Sequence, residues 1–170
     1  MTACLSVDSS SLRIQRLKWR NLTFVLLRLR LKHELGTDAA ACPSTRFVCV
    51  ASLKDYRFAI ARHSRLRNCG TANIFADSGS EVWGIVYDVS EPDLSILDGF
   101  EDGYRREKLF VRAKGNSQSS VEVLVYIAEK EDTVPLPNPE YKRLIVAGAR
   151  HWNIPESYCS MLEQIQAKDI

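Results

Sequence analysis

Residues 82–89 limit most strongly what this chain of 170 residues can form. In an extended conformation this stretch is apolar on both faces. A strand with two apolar faces is covered on both sides and lies inside a sheet, not at its edge. The chain must therefore supply neighbouring strands and covering layers around residues 82–89.

Turn-bounded apolar runs predict those neighbours. Two strands, 46–53 and 56–61, flank a turn at Lys54-Asp55, and a basic, polar loop spans 62–68. A short strand over 69–76 ends at a turn over 77–80. Residues 104–114 and 120–128 form a hairpin around Gly115-Asn116.

Capping residues predict three helices. Ser90 caps a short first helix, which Gly99 ends. Asn138-Pro139-Glu140 begins a second helix, and Pro155 begins a third. The apolar faces are Leu94, Ile96 and Leu97 in the first, Leu144, Ile145 and Ala149 in the second, and Tyr158, Met161, Leu162 and Ile165 in the third. This order predicts an α+β domain with a small mixed, mostly antiparallel, barrel-like sheet and flanking helices.

Composition excludes several classes of protein. A net charge of +2 does not indicate general nucleic-acid affinity, and no apolar run is long enough to cross a membrane. The five cysteines lack CxxC spacing and the three histidines are far apart, so we expect neither a metal nor another cofactor. Free thiols are typical of a reducing compartment, which indicates the cytoplasm.

The beginning of the chain differs from the rest. Residues 1–21 have no clear periodicity, and we interpret them as a poorly ordered or spurious leader before a domain over 22–170. Residues 22–35 alternate as a strand does, with Leu27, Leu29 and Leu31 on one side and basic residues on the other. Within that domain, we treat residues 22–41 as doubtful.

A short turn with glycines on both sides carries Glu101 between two predicted strands. A carboxylate held in this way is a candidate general acid and base, and a solvated acidic turn is the alternative. Asp98 and Asp102 are rival carboxylates. Asp98 is expected to cap or pair locally, and Asp102 to be exposed.

Four segments, in order, resemble the gamma-glutamylcyclotransferase family. They are Gly70-Thr71-Ala72-Asn73-Ile74-Phe75, residues 79–87, Leu94-x-x-Leu97-Asp98-x-x-Glu101, and Pro137-x-Pro139-x-Tyr141 followed by Gly148-Ala149-Arg150 and Ile154-Pro155-x-x-Tyr158. The resemblance runs from about Cys42 to the end. It implies a small α+β barrel with a cavity at one mouth.

The resemblance also implies a reaction. The family cyclises a small γ-glutamyl amine or amino acid to 5-oxoproline and a free amine, which connects it with glutathione metabolism. Glu101 takes the family's acid and base role. Tyr141 corresponds to a tyrosine near the substrate and is expected to donate a hydrogen bond, and Tyr104 to line the cavity. For each tyrosine, packing against the sheet is the alternative.

The expected molecule is a cytoplasmic monomer or weak homodimer. It needs no cofactor, nucleic acid or membrane. Trp83 and Tyr87 are expected in the core. Arg105 and Arg106 either attract an anionic substrate or form a solvated strand edge. The walls of the pocket are expected from residues 62–68 and 129–137.

One family motif is absent. A Tyr-Gly-Ser-Asn turn, whose backbone N–H groups cradle the glutamyl group, belongs where residues 29–32 read Leu-Arg-Leu-Lys. Residues 29–35 can be encoded as CTA CGG CTC AAA CAT GAA CTC, and one nucleotide later this string reads Tyr-Gly-Ser-Asn-Met-Asn. We therefore hypothesise that residues 24–41, approximately, are translated out of frame. The alternative to an active enzyme is a catalytically silent binding or scaffold domain of the same fold. A nucleic-acid or membrane-surface role for the basic leader ranks last.

Overall fold

The computed structural model describes residues 22–25, 42, 44–65, 67–101, 103–116 and 120–169. In these residues five strands close a barrel in the order β1-β3-β2-β4-β5, with β1 and β5 parallel and the other pairs antiparallel. The elements are β1 Leu22–Val25, β2 Arg46–Ser64, β3 Cys69–Asp88, α1 Glu91–Phe100, β4 Tyr104–Ala113, β5 Ser120–Ala128, α2 Pro139–His151 and α3 Glu156–Glu163. The predicted α+β class and barrel-like, mostly antiparallel sheet are confirmed.

The centre of the barrel is the second half of β3. It pairs with β1 over Ile85–Asp88 on one edge and with β2 on the other. Val82, Ile85 and Val86 are almost completely buried. The interpretation of residues 82–89 as an internal strand is therefore correct up to Asp88, where β3 ends.

The long β2–β3 hairpin corrects the prediction of shorter strands. Residues 46–53 and 56–61 belong to one strand, and so do 69–76 and 82–88. Asp55 adopts a positive φ of 61°, and its carboxylate accepts a hydrogen bond from the Gly79 N–H at 2.9 Å. Pairing shifts register there, from Lys54 opposite Glu81 to Tyr56 opposite Ala76. The predicted turn residues thus face each other as an irregularity within one paired hairpin.

The chain reverses at residues 65–68, where Asn68 has a φ of 47°. The predicted loop over 62–68 is therefore too long, because Arg62 and His63 still pair with β3. By contrast, the hairpin of β4 and β5 forms around Gly115-Asn116 as predicted. Of the predicted strand over 22–35, β1 is the part that the structure describes; the leader over 1–21 and the motif position 29–32 lie outside the described residues.

The helix caps form as the sequence predicts. The Ser90 hydroxyl accepts from the Asp93 N–H at 3.3 Å, and the Asn138 side chain accepts from the Tyr141 N–H at 2.7 Å. Such caps satisfy backbone donors that a helix start leaves unpaired. α1 continues past Gly99 to Phe100.

The predicted apolar faces need corrections. Ile96 is 38% exposed, whereas Leu94 and Leu97 of α1 are buried in the core. In α2, Ile145 and Ala149 are buried as expected, and Leu144 is only partly buried. In α3, Met161 is 37% exposed, since Tyr158 and Leu162 cover the sheet. None of the helices in the described residues is long and apolar enough to cross a membrane.

Asn73 joins the far half of β3 to the end of β5. Its amide nitrogen donates to the Ala128 carbonyl at 2.7 Å, and its amide oxygen accepts from the Ala128 N–H at 3.1 Å. The side chain is fully buried. Its two hydrogen bonds therefore link β3 and β5 much as backbone pairing would, although these two strands do not pair directly in the described residues.

Replacing Asn73 by alanine should destabilise the barrel. The change leaves both backbone groups of Ala128 buried without their partner, at a cost of about 1–3 kcal/mol for each group. Denaturant unfolding of Asn73→Ala measures the loss. Thr133→Ala, in an exposed loop, is the control and should stay within about 0.5 kcal/mol. Equal stability of Asn73→Ala and the parent chain would contradict this role.

Candidate functional site

The turn that carries Glu101 directly follows α1. Glu101 is the C-cap residue of this helix, and its N–H donates to the Leu97 carbonyl at 3.0 Å. The Glu101 carbonyl accepts from the Tyr104 N–H at 2.9 Å, where β4 begins. Two backbone hydrogen bonds thus close a short connection between a helix and a strand. They hold a half-buried carboxylate at the end of the barrel where β5 ends, because Tyr104 pairs with Ala128.

Arg62 packs directly onto this turn at Gly103. Gly103 has a φ of 77°, and a Cβ atom added to it would lie 2.0 Å from the Arg62 Nη2 atom. The guanidinium carbon also lies 5.8 Å from the centre of the Tyr104 ring. The positive φ favours glycine at this position, and the end of the Arg62 side chain would have to move to admit a Cβ atom.

Glu131 fixes the position of Arg62. One carboxylate oxygen lies 2.8 Å from the Arg62 Nη1 atom, and the other accepts the His63 N–H at 3.0 Å. The Arg62 carbonyl accepts a hydrogen bond from the Thr71 hydroxyl at 3.1 Å. Because Arg62 is held at both ends, its guanidinium is a firm support for the Glu101 turn.

Tyr104 and Tyr141 meet at Ala72. The Tyr104 hydroxyl donates to the Ala72 carbonyl at 2.9 Å, and the Ala72 N–H donates to the Tyr141 hydroxyl oxygen at 2.9 Å. The N–H and C=O of one residue in an antiparallel strand point to the same side. The two hydroxyls therefore lie beside the same edge of β3, one brought by β4 and the other by the first turn of α2.

Asp98 belongs to a separate cluster. Its carboxylate accepts from the Tyr126 hydroxyl at 2.8 Å and lies 3.3 Å from the Arg106 Nε atom. Burial, and then Asp98 itself, raises the pKa of the Tyr126 phenol above its ordinary value. Asp98 thus pairs with residues of β4 and β5 and not with its own helix, where a local cap or pair was expected. The side chain of Asp102 lies outside the described residues.

Tyr87 and Trp83 pack differently. Tyr87 is buried in the core, as predicted, and its burial raises the pKa of the phenol to about 12. Trp83 packs against the core from a partly buried position.

A cleft of about 370 Å³ opens beside the Glu101 turn. It is lined by Arg62, Gly103, Tyr104, Arg105, Ile127, Glu129, Lys130 and Glu131. Its walls include residues of both segments that were expected to form them, 62–68 and 129–137. Arg105 is paired with Glu107 at 2.7 Å, and Arg106 with Asp98. Arg105 thus borders the cleft, and Arg106 does not.

The described residues contain no group of three His, Cys, Asp or Glu side chains that could hold a metal ion. Four of the five cysteines, Cys42, Cys49, Cys69 and Cys159, are described, and all four are free thiols. Burial raises the pKa of the Cys49 thiol. The chemistry that this region can perform is that of a carboxylate, two phenols and a charged cleft.

Comparison with known proteins identifies the family. The chain is 30% identical to gamma-glutamylcyclotransferase of Homo sapiens over 133 residues, which cover 75% of this chain and 70% of the relative. It is 29% identical to that of Mus musculus over the same length. A solved structure described as gamma-glutamyl cyclotransferase is 27% identical, with a TM-score of 0.75, and the match covers 88% of this chain and 90% of that chain. The model of the AIG2-like family matches residues 81–162. The chain belongs to the gamma-glutamylcyclotransferase family.

The sequence did not single out Arg62 or Asn73 as individual residues. Arg62 was one basic residue in a predicted loop, and Asn73 one member of a motif. Both act through partners more than 40 residues away, Gly103 and Ala128. A glycine between an acidic turn and a strand was the available signal that a side chain approaches closely.

The contact between Arg62 and Gly103 gives a measurable coupling. Gly103→Ala should destabilise the chain by a backbone strain of about 1–2 kcal/mol and, in addition, by the overlap with Arg62. In an Arg62→Ala background the overlap disappears and only the strain remains. Denaturant unfolding of the two single variants and the double variant measures this difference.

Gly115 supplies the matched control. Its φ is 82°, and an added Cβ would meet nothing within 4 Å. Gly115→Ala should therefore cost the strain alone, equally with and without Arg62. If Arg62→Ala relieved neither variant or relieved both equally, the packing of Arg62 on Gly103 would be refuted.

Proposed function

We propose that this chain cyclises the γ-glutamyl group of a γ-glutamyl amine or amino acid, releasing 5-oxoproline and a free amine. The observation that carries the proposal is the closed turn that holds Glu101 next to Tyr104, whose hydroxyl meets that of Tyr141 at Ala72. Membership in the gamma-glutamylcyclotransferase family supports this reaction.

Glu101 acts as base and then as acid. The α-amine of the substrate attacks its own γ-carbonyl carbon, a new C–N bond closes the five-membered ring, and the original amide C–N bond breaks. The ammonium nitrogen loses two protons and the leaving nitrogen gains two, so no water is consumed. A carboxylate that lies between the two nitrogens can carry these protons in turn.

The protein needs little beyond this proton transfer. The nucleophile and the carbonyl already belong to one molecule, and orientation of such groups supplies about 7–11 kcal/mol in well-aligned cases. The turn at Glu101 has a fixed geometry because two backbone hydrogen bonds and Arg62 hold it. A base carried by a held backbone turn loses less freedom on substrate binding than one carried by a long loop.

Tyr141 and Tyr104 position the substrate. A phenol can accept one hydrogen bond and donate another, so the Tyr141 oxygen can accept from Ala72 and its O–H group can serve the substrate. Tyr104 has its hydroxyl on the Ala72 carbonyl and places its ring at the cleft. We assign Tyr141 as the donor and Tyr104 as a wall of the site.

We propose that the protein works without a cofactor and as a monomer or weak homodimer. Nucleic acid and membranes play no part in the reaction. The cytoplasm is its proposed location, because reduced thiols such as those of Cys42, Cys49, Cys69 and Cys159 persist there.

Substitution of Glu101 tests the catalytic assignment. Glu101→Gln keeps the size and removes the proton carrier, so the rate of 5-oxoproline formation should fall by about 10²- to 10⁴-fold. Chromatography of the products of γ-glutamyl-amino acids measures the rate. Asp98→Asn is the matched control and should keep the activity, because Asp98 pairs with Tyr126 and Arg106. If both variants kept full activity, Glu101 would lose its role.

Restoring the absent Tyr-Gly-Ser-Asn motif tests the alternative that the chain is a catalytically silent scaffold. Loss of an oxyanion donor costs about 2.7–4 kcal/mol in the barrier. The variant Leu29→Tyr, Arg30→Gly, Leu31→Ser and Lys32→Asn should therefore be faster than the parent chain by about 10²- to 10³-fold. The absence of 5-oxoproline with both chains would overturn the proposed reaction. The nucleotide sequence checks the frame directly, since codons for 29–35 that cannot give Gly-Ser-Asn rule out the shift.

A further inference from the structure

The turn that joins β2 to β3 concentrates positive charge. The Asn68 N–H donates to the Arg65 carbonyl at 3.3 Å, which closes a turn over residues 65–68. Arg65 and Arg67 belong to this turn, and the Lys168 Nζ atom donates to the Asn68 carbonyl at 2.9 Å. Three cations therefore meet at the end of one hairpin, one of them brought there by the segment that follows α3.

These three cations are not neutralised within the described residues. The cations that form ion pairs there are Lys54, Arg62, Arg105, Arg106, Lys108 and Arg150. Arg65, Arg67 and Lys168 are not among them. The neighbouring Asp169 is exposed and forms no ion pair in the same part of the chain. Because like charges gathered at one turn repel one another, a bound anion would stabilise this arrangement.

Neutral groups hold two of the cations in position. The Arg67 guanidinium carbon lies 5.6 Å from the centre of the Tyr141 ring. Lys168 is held through its Nζ atom by Asn68 and through its backbone N–H by the Pro137 carbonyl at 2.9 Å. A ring face or a carbonyl orients a cation without cancelling its charge. These two charges are therefore placed in advance and remain available to a ligand, which lowers the entropic cost of binding it.

The donors at this turn suit a phosphoryl group. Each guanidinium offers a planar fork of N–H donors that matches phosphate oxygens, and the ammonium group of Lys168 adds a third positive charge. A carboxylate would neutralise one of the three charges, whereas a phosphoryl dianion carries close to two negative charges and three acceptor oxygens. Arg65 is exposed, so the turn is accessible both to free phosphate and to a phosphate monoester.

We propose that Arg65, Arg67 and Lys168 form a binding site for a phosphoryl dianion at the β2–β3 turn. Arg67 and Lys168 supply the two charges that are held in place, and Arg65 supplies a third donor group from the exposed side. The site does not depend on the proposed cyclisation, in which none of these three cations takes part. Tyr141 connects the two regions, because its ring carries Arg67 and its hydroxyl lies at Ala72.

NMR titration of the full chain measures the binding. Inorganic phosphate and glycerol 3-phosphate are the two ligands, and sodium chloride at equal ionic strength is the blank. At about pH 8 the monoester carries close to two negative charges, because its second pKa is about 6. The backbone amides of residues 64–68 should shift saturably with both ligands and not with chloride. The ligand with the lower dissociation constant identifies free phosphate or a monoester as the better occupant.

Substitution of each cation should weaken the binding. Arg65→Gln, Arg67→Gln and Lys168→Gln should each raise the dissociation constant by about 1.5- to 5-fold, as expected for exposed ion pairs. The triple variant should lose the saturable shift. Arg67→Lys keeps the charge without the planar fork, so it should weaken binding less than Arg67→Gln.

Arg57→Gln is the matched control. Arg57 also lies over an aromatic ring, that of Phe75 at 5.3 Å, but it belongs to β2 and not to the turn. This variant should leave both dissociation constants unchanged. Denaturant unfolding compares its stability with that of Arg67→Gln. If Arg67→Gln lowers the stability, the exposed Arg65 keeps the test decisive through Arg65→Gln.

Three results would overturn the proposal. The first is the absence of a saturable phosphate shift at residues 64–68, and the second is an equal shift with chloride. The third is phosphate binding that Arg57→Gln weakens as much as Arg65→Gln and Arg67→Gln do. Formation of 5-oxoproline is assayed separately, so the phosphoryl site and the proposed cyclisation stand or fall independently.

Discussion

The hydrogen bonds between the Asn73 side chain and the Ala128 backbone hold together two parts of the barrel that no strand pairing joins in the described residues. In the described residues β1 pairs with β3 over Ile85–Asp88, and the far half of β3 has no strand partner on that edge. A buried backbone group without a partner is costly, and side chains satisfy this edge instead. Asn73 adds a side-chain link across this part of the barrel, which is itself closed by the pairing of β1 with β5.

The same edge assembles the candidate site. Ala72 is the residue before Asn73, and its N–H and C=O are the groups that Tyr141 and Tyr104 bind. The Asn73 link and the two tyrosine contacts therefore lie on adjacent residues of β3. It also brings Arg62, which lies near Thr71 in the paired strand β2, onto Gly103. Side-chain contacts along this edge thus gather Arg62, Tyr104 and Tyr141, and the first two connect the edge with the Glu101 turn.

Sequence patterns correctly predicted the features that depend on residues close together in the chain. The caps at Ser90 and Asn138 and the hairpin at Gly115-Asn116 depend on neighbours within a few residues. The internal position of residues 82–88 depends on distant strands, and it was predicted because burial on both faces leaves an apolar pattern in the strand itself. The predicted turn at Lys54-Asp55 failed because its outcome depends on pairing with residues more than 20 positions away. Glu101, Tyr104 and Tyr141 were named from a resemblance to a family. Their meeting at Ala72 could not be predicted, since a hydroxyl carries no sequence signal for its backbone partner.

In the proposed reaction the substrate supplies the orientation of the reacting groups and the protein supplies the proton carrier. A site of this kind can be supported mainly by backbone geometry. Orientation of amine and carbonyl is a property of the substrate, and it supplies more of the barrier reduction than any single oxyanion donor, about 7–11 against 2.7–4 kcal/mol. What the protein must add is a proton carrier at fixed distance from two nitrogens. A long flexible loop would hold such a carrier poorly, whereas the three-residue connection from α1 to β4 has little freedom to lose. A chain without the glutamyl cradle would therefore lose binding and oxyanion stabilisation and still keep the proton carrier in place.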